Sequence, residues 1–72
     1  MIKLDREKIK EKIQKFRKSG KSFIIVVRTK CGIVEFKVKL VVAEYFGKFQ
    51  YAVRKMDDTV VFVNGRDIIT VI

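Results

Sequence analysis

At Ser22 the spacing of apolar residues changes from helical to alternating, and nothing later in the chain changes it back. Before that point Ile2, Ile9, Ile13 and Phe16 recur on one face at helical spacing, which predicts a helix over 5–19. Asp5 is placed to cap its start, with Leu4 and Ile9 as an apolar staple across the cap. Glu7 lies near the positive end of the helix dipole, Lys15, Arg17 and Lys18 lie near the negative end, and Gly20 is a stop. The apolar stripe is narrow, so such a helix covers one opening of a core rather than running through it. Its outer face carries Lys8, Lys12, Lys15 and Lys18, a pattern shared by solvated faces and by faces that meet a polyanion.

After Ser22 the chain reads as five consecutive strands with short links. Phe23–Thr29 is apolar on both faces at its start, as a strand buried on both sides or at an interface would be. Lys30-Cys31-Gly32 is a short turn in which Gly32 is free to take positive φ. Ile33–Ala43 alternates Val34, Phe36, Val38, Leu40 and Val42 with Glu35, Lys37 and Lys39. A strand that long predicts a sharp bend or bulge near Val38 to Val41. Glu44-Tyr45-Phe46-Gly47 is the next turn and Lys48–Lys55 the third strand, with Phe49, Tyr51 and Val53 on one face. Met56-Asp57-Asp58 turns again; Thr59–Val63 and Asp67–Ile72 are the last strands, separated by Asn64-Gly65-Arg66. The expected class is α+β, mainly β. One domain spans residues 1–72, a helix at 5–19 followed over 22–72 by a strongly bent five-stranded antiparallel sheet forming a small SH3-like barrel.

The 72 residues set a limit on how much core such a domain can bury. With one cysteine, Cys31, and no histidine, neither an internal disulfide nor structural zinc supplies the missing stability, and the lone thiol suits a reducing cytoplasm. Oligomerisation is the remaining common remedy. The chain is 49% hydrophobic and 35% charged with no proline, which is a folded composition and not a disordered one. No stretch is apolar for the length of a membrane span, and charge running through Met1–Lys18 is unlike a secretory signal.

Net charge is +9, and it is uneven. Residues 1–21 hold nine basic and three acidic side chains, giving +6; residues 22–72 hold eight and five, giving +3. An excess of this size favours polyanions: nucleic acid first, then an anionic membrane or an acidic protein. An enzyme is not expected. There is no histidine for acid–base work, no Cys/His pair and no phosphate-cradling glycine loop, and Asp57-Asp58 reads as a solvated turn pair, so no metal or cofactor is expected.

The segment Val63-Asn64-Gly65-Arg66-Asp67-Ile68 resembles the second signature of the Sm-like and Hfq-like RNA-binding family, where a strand ends in an Ile-Arg-Gly-like triplet, turns tightly and resumes with Ile. Val60-Val61-Phe62 and Ile69-Thr70-Val71-Ile72 are similar to the family's fourth and fifth strands. Gly32 matches the glycine of the first signature, and Val38 stands where a second glycine bends the strand. Ala43-Glu44 replaces the aromatic-Asp pair and Lys48 replaces the Asn, which leaves the base preference open. The element order resembles the family over nearly the whole chain.

The resemblance implies a non-enzymatic homo-oligomeric ring, a hexamer or heptamer, built by pairing strand four of one subunit with strand five of the next, and binding single-stranded RNA, with DNA as a lesser partner. It implies an RNA site in which Phe46 stacks on a base, Lys48 makes a polar contact, Asn64 and Gly65 contribute from the later signature, and Arg66 supplies a cation. Two other classes stay open: a small basic barrel protein that binds duplex DNA, and an oligomeric protein-interaction module of a virus or plasmid.

Overall fold

The computed structural model describes residues 3–72, apart from the side chain of Phe46; the expected place of Ile2 on the helix face lies outside the described residues. Helix α1 is Arg6–Ser19. It starts where the Asp5 carboxylate accepts the Lys8 amide at 2.9 Å and stops where Gly20 adopts φ 70, a left-handed conformation that costs glycine little. Ile9 and Ile13 are fully buried, Leu4 and Phe16 pack beside them, and the Phe16 ring stacks on Phe23 at 4.8 Å. Burying each isoleucine is worth about 1.5–3 kcal/mol, which is what holds a strongly basic helix on the sheet.

The strands are β1 (Phe23–Thr29), β2 (Gly32–Tyr45), β3 (Gln50–Lys55), β4 (Val60–Asn64) and β5 (Ile68–Val71). All pairings are antiparallel, in the order β4-β3-β2-β1-β5, so β4 and β5 are the two ends of the sheet. The core gathers Phe23, Ile25, Val27, Val38, Val41, Tyr51, Val53, Val63, Ile68 and Val71 beneath Ile9 and Ile13. No helix among the described residues is long and apolar enough to cross a membrane.

Several boundaries moved, for identifiable reasons. The expected bend of β2 is present as two register shifts against β3, between Val38 and Leu40 and between Val41 and Ala43. Each extra residue flips the side-chain parity. Val41 therefore turns inward, while Leu40 and Val42, expected on the same face as Val38, are exposed. The turn expected at Glu44–Gly47 begins later: Glu44 and Tyr45 still belong to β2, and Phe46–Lys48 forms a 3-10 turn. A second 3-10 turn, Gly65–Asp67, joins β4 to β5; the Asn64 side chain caps it by accepting the Arg66 amide at 3.0 Å.

Candidate nucleic-acid interface

The two 3-10 turns meet at one end of the sheet. Gln50 pairs with Asn64, and the Gly65 amide donates to the Phe49 carbonyl at 2.7 Å. Residues far apart in sequence thus share one rim. Phe49, between the first turn and β3, adopts φ 51, an uncommon conformation for a bulky side chain. It is held there because its ring lies directly over Gly65, where no side chain competes for the space. The Arg6 guanidinium sits 4.6 Å from the ring centroid and the Lys10 ammonium 5.9 Å from it, both within cation–π range.

Beside this ring opens a concavity of about 470 Å³, lined by Lys3, Leu4, Asp5, Arg6, Ile9, Phe49, Gly65 and Arg66. That volume is in the range of small-ligand sites. Its floor is apolar and its rim cationic. An adjoining hollow holds Lys3, Arg28, Arg66, Asp67 and Ile69. The Lys3 ammonium bonds to the Arg66 carbonyl and so ties the N-terminal segment to the second 3-10 turn. Of the two carboxylates at the rim, Asp5 is engaged in capping α1.

Four cations elsewhere have carboxylate partners. Lys8 pairs with Glu11, Arg17 with Glu44, Lys39 with Asp58 and Lys55 with Asp57. Among the described residues, none of Lys3, Arg6, Arg28 and Arg66 has a carboxylate within ion-pair distance. These four line two adjoining hollows at this end of the molecule, and closely grouped cations attract a polyanion.

The residues expected from the sequence fall as follows. Arg66 is exposed on the concavity, Asn64 is exposed with its side-chain oxygen used by the turn, and Lys48 is exposed on the neighbouring turn. Gly65 is buried beneath Phe49. Phe46 starts the first 3-10 turn; its side chain lies outside the described residues. Glu44 has a buried side chain that meets Arg17 at 3.0 Å and fastens the end of α1 to β2. Sequence reading missed Lys3, Arg6 and Phe49. Phe49 reads as an ordinary inward strand residue, and nothing local reveals that the start of the helix lands on the β4–β5 link.

Tyr51 adjoins the same region, with its ring edge-on to Phe49 at 6.0 Å. Burial, aided by the Glu44 charge and opposed by Arg6, pushes its phenol up from the ordinary 10.0 to about 12. A raised folded-state pKa means that the protonated phenol is favoured in the fold. The stabilisation is complete below pH 10 and is lost as pH rises through about 12. Absorbance titration of phenolate in the Tyr45→Phe variant should place Tyr51 near 12, with melting temperature falling across the same window. Titration at the ordinary phenol value would show that the ring is open to water.

Comparison of the chain with protein-family models, with curated proteins and with solved structures found no match.

Proposed function

We propose that this chain is a non-enzymatic, cytoplasmic RNA-binding protein of the Sm-like kind, taking single-stranded RNA at the end of the sheet where its two 3-10 turns meet. One observation carries the reading: Lys3, Arg6 and Arg66, without carboxylate partners, converge on a concavity floored by Phe49. Unpaired cations take phosphates, and an arginine or an aromatic ring beside them offers a stacking surface to a base that is free of a duplex. Lys48 and Asn64 lie on the same rim. Phe46 enters as the stacking residue through the family resemblance.

In this reading the bent sheet is a small SH3-like barrel whose open seam runs between β4 and β5. The ring implied by the resemblance would pair β4 of one copy with β5 of the next. Here the Ile69 carbonyl accepts the Leu4 amide at 2.8 Å and the Val71 carbonyl accepts the Lys12 ammonium at 3.2 Å. A ring of six or seven therefore requires the N-terminal segment and Lys12 to withdraw from β5. Strand binding at the basic rim does not depend on that assembly.

The test is fluorescence anisotropy with labelled oligo-U, oligo-A and a length-matched duplex over a salt series. Saturable binding to the single strands, tighter than to the duplex, is expected, with a logarithmic salt slope of about −0.7 per phosphate engaged. Phe46→Ala should weaken that binding by about 1–3 kcal/mol for a stacked base. Tighter binding to the duplex would replace this reading with the duplex-DNA alternative. Unchanged affinity after Phe46→Ala would remove that side chain from the site.

A further inference from the structure

The two edges of the sheet are finished differently. On β5, outward carbonyls are taken by the chain itself, Ile69 by Leu4 and Val71 by Lys12. Among the described residues β4 has no such cover. In the β3–β4 ladder the Lys55 amide donates to the Thr59 carbonyl at 2.8 Å, and the Gly65 amide to the Phe49 carbonyl at 2.7 Å. An antiparallel ladder alternates between residues that face the neighbour and residues that face away. Thr59, Val61, Val63 and Gly65 therefore direct their main-chain groups to β3, and Val60, Phe62 and Asn64 turn theirs outward.

The side chains mark the same edge. Phe62 is 71% exposed and Val60 44%. Proteins protect an open edge with charge, above all lysine, and this chain has 17 lysines and arginines to draw on. Yet Val60-Val61-Phe62-Val63-Asn64 carries no charge at all. Copies with a net charge of +9 repel one another, so a seam between them is favoured along a strand that adds no charge of its own.

We propose that β4 pairs with β4 of a second copy, antiparallel across a twofold axis at Phe62, extending the sheet through both subunits. The strand is self-complementary in this register. Phe62 lies opposite Phe62 of the other copy, Val60 lies opposite Asn64, and the outward-turned main-chain groups fall at the hydrogen-bonding positions. An axis midway between two residues would set each outward-turned residue opposite one whose main-chain groups β3 already uses. The Tyr45 ring stands 6.3 Å from Phe62, so the seam gathers two Phe62 and two Tyr45 rings on one face and removes from water the most exposed aromatic among the described residues. This dimer uses the strand that a β4–β5 ring would use, so the two assemblies exclude each other. It meets the basic rim only at Asn64, whose main chain ends the seam while its side-chain oxygen caps the second 3-10 turn.

Sedimentation velocity on the whole chain, without nucleic acid and over a range of concentrations, is expected to show a particle of about twice 8.4 kDa. Phe62→Lys sets a cation against its own copy and should return the mass to 8.4 kDa, with unchanged circular dichroism because Phe62 lies outside the core. Affinity for oligo-U per chain should not fall, since the added cation only strengthens attraction to phosphates. Amide hydrogen exchange of the unaltered protein supplies a readout free of mutation: the Val60 and Phe62 amides should be protected at concentrations where the dimer forms and exchange freely on dilution. A single-copy particle at every concentration, a six- or seven-fold particle, or a dimer whose Phe62 amide exchanges freely would each overturn the proposal. Loss of RNA binding with the dimer intact would instead count against the basic rim alone.

Discussion

Gly65→Ala is expected to destabilise the protein by about 1–3 kcal/mol, although it adds a single methyl group at a position with ordinary backbone geometry. A Cβ there would stand 2.6 Å from three atoms of the Phe49 ring, well inside van der Waals contact. Two movements could relieve the clash, and each has a cost. The ring could swing away, but it is 6% exposed, lies beneath Arg6 and meets Tyr51 edge-on. Alternatively the second 3-10 turn could shift, which breaks the 2.7 Å bond from the Gly65 amide to the Phe49 carbonyl and pulls on the start of β5. Urea denaturation measures the loss, and a double-mutant cycle assigns its cause. With Phe49→Ala already present, Gly65→Ala should cost little, because the group it strikes is gone. Equal penalties in both backgrounds would mean that the contact is not the reason for the glycine.

The second large effect concerns binding. Reversing both Arg6 and Arg66 to glutamate should weaken oligo-U binding about a hundredfold at low salt, since each lost charge-assisted contact is worth about 1.5 kcal/mol or more and 1.4 kcal/mol is a factor of ten. The salt slope should become shallower at the same time, because fewer phosphates are engaged. A matched control separates the local from the global cause. Lys15→Glu with Lys18→Glu changes net charge by the same amount on the exposed helix surface, away from the rim. Only a few-fold loss is expected there. If both pairs lose affinity equally, the protein attracts RNA through its overall charge and the rim has no special part.

These two predictions draw on different levels of the molecule. The helix, its Asp5 cap, its Gly20 stop, the extent of β1 and the presence of a bend in β2 were all legible in the chain, because each depends on residues a few positions apart. The closeness of the Phe46–Lys48 turn to the β4–β5 link rests instead on pairing between residues far apart in sequence. The bulges were harder. A pattern of strict alternation assigns Leu40 and Val42 to the core, and only the register against β3 reveals that Val41 is the inward residue.

What the sequence determined by itself is the kind of element at each place and the face each turns to its near neighbours, since helical and alternating periods, caps and turn residues act over one or two turns of chain. What the tertiary structure alone decided is which of those elements meet. Lys3 and Arg6 reach Arg66 across some sixty residues, Phe49 finds a glycine that can lie beneath it, and Leu4 covers the outer edge of β5. Such contacts follow from how the helix docks on the core, a balance of buried Ile9 and Ile13 against the whole sheet, and no local pattern encodes that docking.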